Sequence, residues 1–159
     1  MKVRGVDGFW PDQDTMELAH GCYPAWATEL IILRPGKNGE NEILLTVYRH
    51  ERKYPQFEGK WHAPGGYGRI TDRYIESTCN RIATREFGES VFVLNELGKE
   101  WWEPGEHPYG RPLSILMRCE LVAPIKETDE RQFFPIERLP QPMIEVHERF
   151  IKKFVPLGD

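Results

Sequence analysis

Residues 61–88 read WHAPGGYGRITDRYIESTCNRIATREFG, a glycine-rich stretch that runs directly into an amphipathic one. In the second half Ile75, Cys79, Ile82, Ala83 and Phe87 recur at three- and four-residue spacing, which predicts a helix over 73–87. Thr71 or Asp72 suits its N-cap, and Gly88 falls where helices commonly stop. In the first half, Pro64-Gly65-Gly66 lets backbone come close to a ligand, because glycine carries no Cβ. Glu86 shares the apolar stripe of Ile75, Cys79 and Ile82 and ends it in the last helical turn. A negative charge there opposes the helix dipole, and it is costly unless something positive meets it. A bound metal ion, Arg81 and Arg85 are the candidates.

Working outward, ATELIILRP (27–35) and EILLTVYRH (42–50) read as strands that pair in a hairpin around a Pro-Gly turn. The stretch from Trp61 to Asp72 is too rich in Gly and Pro for a regular element. Residues 90–102 and 113–122 read as further strands, 136–140 as a short helical turn and 143–155 as a closing helix. Residues 1–22 read as an irregular N-terminal extension punctuated by Gly5, Gly8 and Pro11. Strands before and after one central helix, without strict βαβ alternation, suggest an α/β fold with a mixed sheet between helices. The 159 residues fit one domain, 1–159, large enough to bury a core.

Apolar residues make up 40% and charged residues 29%, with a net charge of −4, so a nucleic-acid backbone is a poor match as main partner. Cys22, Cys79 and Cys119 lie far apart with no CxxC pair, which fits a reducing compartment and gives no zinc signal. No run approaches the ~20 apolar residues of a membrane span, and residues 1–20 lack the apolar core of a secretory signal. The expectation is a soluble, cytoplasmic protein with neither a nucleic-acid nor a membrane partner.

GKWHAPGG followed by a capped helix ending RIATREFG resembles the Nudix hydrolase family. The resemblance implies a Nudix-type α/β/α sandwich, and it extends to the strand order and to the closing FFPIERLP segment. Gly66 takes the place of the motif glycine and Arg81 that of the motif arginine. They lie fifteen positions apart, one more than the family spacing, so the loop 67–72 holds one extra residue and Asp72 takes the place of the first motif glutamate. The remaining motif glutamates read Ile82, Arg85 and Glu86, so only Glu86 stays a carboxylate. RIATREFG is similar to the reduced motif of the GDP-mannose mannosyl hydrolase-like branch. That likeness implies one Mg²⁺ or Mn²⁺ held by Glu86 and the Gly66 carbonyl, with Asp72 as a further metal-site candidate.

Counting back from Phe133-Phe134, Glu127 falls where that branch carries a metal-binding Gln, and Thr128 where it carries a general-base His. Threonine is no base near neutral pH, and Glu127, Asp129 or Glu130, or else His107, are the candidates to activate water. Arg69, Arg81, Arg111 and Tyr109 are the candidate substrate contacts, and Arg81 also suits a bridge from loop to helix. Of Trp101 and Trp102, strand alternation predicts one buried and one exposed. A second register takes Arg85, Glu86 and Glu89 as the motif core, at the cost of placing Gly88 inside the helix.

The leading expectation is a metal-dependent hydrolase of a nucleoside diphosphate linked to another group, a nucleotide sugar foremost. The other is a Nudix-fold module that binds a nucleotide or a protein without chemistry, Arg85 taking the place of the ion and meeting phosphate directly. A homodimer is expected by analogy alone.

Overall fold

The computed structural model describes residues 25–37, 39–49, 54–108 and 110–157. Strands β1 (Trp26–Pro35), β2 (Asn41–Val47), β3 (Trp61–His62) and β4 (Gly65–Tyr67) precede helix α1 (Ile75–Phe87). Strands β5 (Val91–Trp101), β6 (Leu113–Leu121) and β7 (Arg131–Pro135) and helix α2 (Glu145–Phe154) follow, with 3₁₀ turns at Pro55–Phe57 and Ile136–Arg138. The hairpin of β1 and β2 forms as expected, with Leu33 opposite Ile43. The sheet runs β3-β2-β1-β6-β5, with β4 added on β1 and β7 on β2. It is mixed: β1 and β6 are parallel, and the other pairings are antiparallel.

The central strands are apolar on both faces because both faces are covered. Leu30, Ile32 and Leu44 pack with Cys79, Ile82, Ala83 and Phe87 of α1. Ile31, Ile43 and Leu45 point the other way and pack with Val146, Phe150 and Ile151 of α2. The result is an α/β/α sandwich. Glu29 has the parity of Ile31, so it is carried into the α2 face of the sheet and is only 4% exposed. Among the described residues no helix is long and apolar enough to cross a membrane.

β1 changes partners along its length. Residues Ala27 to Glu29 pair with β4, and Leu33 to Pro35 pair with β2. At the fork the Leu30 amide donates to the Pro64 carbonyl. That pairing makes strand of Gly65–Tyr67 despite its glycines, where the composition alone predicts an irregular stretch. β7 likewise becomes strand, from Arg131, because it pairs along β2.

Helix α1 ends at Gly88, whose φ of 75° is the left-handed geometry that glycine tolerates and whose amide donates to Thr84. The second register is thereby excluded, since Gly88 closes the helix. The start differs from expectation. Tyr74 is the N-cap, with no side-chain cap. A turn closed by the Asp72 amide on the Arg69 carbonyl delays the helix, and the Asp72 carboxylate is used elsewhere.

Candidate functional site

The loop between β4 and α1 is tied to the helix through Asp72. Arg81 Nη2 donates to Asp72 Oδ2 at 2.6 Å and also to the Tyr67 carbonyl at 2.9 Å. The Arg69 amide and the Thr78 hydroxyl donate to the same Asp72 oxygen. The Arg81 hydrogen bond, against a smaller effect of burial, and then the Arg69 amide and Thr78 hold Asp72 down at about 2. Asp72 and Arg81 thus brace the loop against the helix. A folded value below the unfolded 3.8 means stability that is present above about pH 4 and is lost as pH falls through about 2. Asp72→Asn is expected to cost about 2 kcal/mol at pH 7 by removing charge-assisted hydrogen bonds. It should also flatten the acid limb of a urea-denaturation series run between pH 2 and 5.

One turn further along α1, Arg85 lies across the glycine loop. Its Nη2 donates to the Gly65 carbonyl at 2.7 Å and lies 2.5 Å from Glu86 Oε1, and its Nε donates to the same oxygen at 2.8 Å. A Cβ built on Gly66 would sit 3.4 Å from Nη1 and Nη2, so the guanidinium rests close over Gly66 as well. Glu86 therefore has its positive partner within the chain. The two groups that the Nudix resemblance offers a cation, a helix carboxylate and a glycine carbonyl, converge on the Arg85 guanidinium. The carbonyl in question is that of Gly65, one residue before the expected Gly66, which pairs with Thr28 in the β1–β4 ladder. Among the described residues no group of three or more His, Cys, Asp or Glu side chains is disposed to hold a metal ion. As arranged, the residues do not fit Mg²⁺ or Mn²⁺: a guanidinium holds one carboxylate and one carbonyl where a hard dication wants a cage of oxygens.

The remaining sequence candidates are dispersed. Glu127 accepts from Arg34 at 2.7 Å and from the Phe133 amide at 3.1 Å. Burial pushes its carboxyl up, but these two partners outweigh it and the net shift is downward. Arg34 lies five residues beyond the Glu29–Gly65 pair, about 16 Å along the strand. Glu130 pairs with Arg49 at 3.0 Å and is exposed. Arg111 donates to the Trp102 carbonyl at 3.0 Å and lies 3.8 Å from Glu103, closing the β5–β6 connection. The amide of Arg69 helps close the Asp72 turn. Tyr109 lies outside the described residues. Trp102 is buried and Trp101 is exposed, as alternation predicts. Trp101 borders a surface groove of about 490 Å³ with Trp26 and Tyr74.

His107 leads to features not singled out in the sequence. It is buried, and its Nε2 meets the Tyr67 hydroxyl at 2.9 Å. It lines a cavity of about 90 Å³ behind the glycine loop, together with Glu29, His62, Tyr67, Trp102 and His147. The Trp102 indole donates to Ser114 Oγ at 2.9 Å, and Ser114 donates to Glu29 Oε1 at 2.9 Å. Glu29 Oε2 lies 3.9 Å from His147 Nδ1, which is buried and has no hydrogen-bond partner among the described residues. Burial raises Glu29 to about 8, only partly offset by Ser114 and by the charge of Arg85. Burial, then His62 and His107, push His147 well below its ordinary value. Near neutral pH the cavity floor is an uncharged acid beside an uncharged imidazole. The sequence signals were a lone carboxylate inside the apolar run ATELIILRP and a histidine on the apolar side of α2, three residues before Phe150.

The pH dependence of stability follows. Glu29 ionises near 4.5 when unfolded and near 8 when folded, so its contribution is lost as pH rises between those values. His147 is depressed, so its contribution is lost as pH falls below about 6.5. The two slopes oppose each other below about 6.5, and Glu29 alone acts above it. Melting temperature is therefore expected to fall by several degrees from about pH 6.5 to 8, and Glu29→Gln is expected to remove that fall.

No family model matches the chain, and no curated protein does. Solved structures do match. A UDP-X diphosphatase superposes with a TM-score of 0.62 at 18% identity, over 91% of this chain and 69% of that one. The NUDIX domain of Shewanella oneidensis NrtR, complexed with ADP ribose, gives 0.61 at 15% identity, over 82% and 85%. A mutT/nudix family protein from Listeria innocua gives 0.60 at 23% identity, over 82% and 92%. At these identities the likeness speaks for the backbone alone, and the α/β/α sandwich of this chain with its mixed sheet matches the Nudix-type fold architecture.

Proposed function

We propose that the protein binds a nucleoside diphosphate linked to a second group, and that Arg85, in place of a divalent ion, meets the diphosphate. The observation that carries this reading is the Arg85 guanidinium held between Glu86 and the Gly65 carbonyl. A guanidinium presents five N–H donors in a fixed fork that suits paired phosphate oxygens. At 36% side-chain exposure Arg85 has donors left to face solvent while Glu86 and Gly65 orient it. The ligand class is supported by the similar structures, among them the UDP-X diphosphatase and the domain complexed with ADP ribose.

The reading with turnover, a metal-dependent hydrolase of a nucleotide sugar, is favoured by the similar diphosphatase and by Glu86 standing on α1. It requires Arg85 to leave Glu86 and Gly65 before a cation can enter. One assay separates the two readings. The protein and Glu86→Gln are incubated with Mg²⁺ or Mn²⁺ and a panel of nucleotide sugars, dinucleotides and triphosphates, and the products are resolved by chromatography. The binding reading expects ligand retention with no product from either protein. Nucleoside diphosphate plus free sugar, lost in Glu86→Gln, would instead establish hydrolysis at the sugar carbon, and nucleoside monophosphate would mean attack on phosphorus.

A further inference from the structure

The cavity behind the glycine loop has a chemistry of its own. Gly65 is the wall between it and the arginine. Arg85 holds the Gly65 carbonyl on one side, while a Cβ at Gly65 would lie 1.8 Å from Glu29 Oε2 on the other. Arg85 and the cavity are thus one residue apart, and a ligand whose phosphate reached Arg85 would have its next group within reach of the cavity.

The size is restrictive. About 90 Å³ matches roughly three waters at ~30 Å³ each, which is room for the edge of one saturated ring. The rings that meet His107 leave no parallel slot against it for a flat base. The aromatic pairs around the cavity meet at steep angles: 63° for Tyr54 with His107, 84° for Tyr67 with His107 and 90° for Trp102 with His107. Such rings form a cup, whereas a base stacks in a parallel slot.

The polar floor points the same way. His147 is 6% exposed and Glu29 4% exposed, and His147 Nδ1 is buried with no hydrogen-bond partner among the described residues. A hydroxyl both donates and accepts, so it can pair with an imidazole nitrogen and a carboxyl oxygen that lie 3.9 Å apart. A phosphate or carboxylate in so apolar a cup would have to be desolvated, and among the described residues no Lys or Arg side chain lines the cavity.

We propose that this cavity receives the second group of the ligand, the hydroxyl-bearing edge of a sugar ring, read by Glu29 and His147. The proposal rests on the diphosphate reading of Arg85 and adds the identity of the linked group to it.

The test is isothermal titration calorimetry in EDTA with three pairs of probes: UDP and UDP-glucose, GDP and GDP-mannose, ADP and ADP-ribose. In the wild type, at least one sugar form is expected to bind about tenfold tighter than its bare diphosphate. His147→Phe fills the cup with an apolar ring, and Ala27→Val adds bulk from β1. Each is expected to bring that ratio down to about one. Circular dichroism and melting temperature show whether each variant folds, and either folded variant suffices. A wild-type ratio of one in all three pairs overturns the proposal while leaving the diphosphate reading standing. A ratio that survives in a folded variant overturns it as well. If the wild type binds none of the six probes, the diphosphate reading fails and the sugar site fails with it.

Discussion

Arg85→Ala is expected to weaken binding of a nucleoside diphosphate by about 30- to 100-fold, the worth of one or two charge-assisted hydrogen bonds. The same change should alter how the site treats a cation. With the guanidinium gone, the Glu86 carboxylate and the Gly65 carbonyl lose their shared donor. They then stand as two oxygens with no positive partner between them, which is the beginning of a site for a hard cation. Whatever binding survives in Arg85→Ala is expected to strengthen when Mg²⁺ is added. Arg85→Lys should fall between, because a lysine supplies the charge but not the fork. Equal affinity in wild type and Arg85→Ala, with and without Mg²⁺, would remove Arg85 from the ligand's path.

Gly65→Ala is expected to be strongly destabilising. The added carbon would meet Glu29 Oε2 at 1.8 Å, Glu29 Cδ at 2.8 Å and the Thr28 carbonyl at 3.0 Å. The Glu29 side chain is buried and accepts from Ser114, so it yields only by giving up that hydrogen bond. Overpacking of this kind costs about 1–3 kcal/mol, and an unsatisfied buried group adds to it. A fall in melting temperature of roughly 6–10 °C is expected for a chain of this length. Gly66→Ala provides the contrast. The nearest neighbour of its added carbon is the Arg85 guanidinium, at 3.4 Å, an ordinary van der Waals contact, so stability should hardly change while the methyl narrows the diphosphate's approach to the guanidinium. A melting temperature for Gly65→Ala equal to that of the wild type would show that Glu29 does not occupy the place described.

The fold was legible where periodicity and chain breaks agree. The apolar stripe of α1 and the stop at Gly88 both follow from local chemistry, as do the β1–β2 hairpin and the burial of Trp102 against the exposure of Trp101. The short strands β3, β4 and β7 were not legible, because two to five residues carry no period and become strand only where an edge is free to pair. The N-cap was misread for a related reason: Asp72 has the side chain of a cap, but Arg81, nine residues on, takes its carboxylate.

In the candidate site, the convergence of Glu86 with the glycine loop was legible, as was the possibility that an arginine is its partner. The choice of Arg85 over Arg81 was not, since both lie within a turn and a half of Glu86 and only the packed loop separates their partners. Glu29 and His147 come from elements more than a hundred residues apart in the chain, and no local pattern joins them.

The most direct measurement is the affinity of the wild-type protein for ADP-ribose and UDP-glucose by calorimetry, first in EDTA and then in Mg²⁺. If Arg85 stands where a cation would, at least one of the two ligands binds, and its affinity agrees within about twofold in both buffers. Binding that appears only with Mg²⁺, and that Glu86→Gln abolishes, would contradict the account and return the site to metal chemistry.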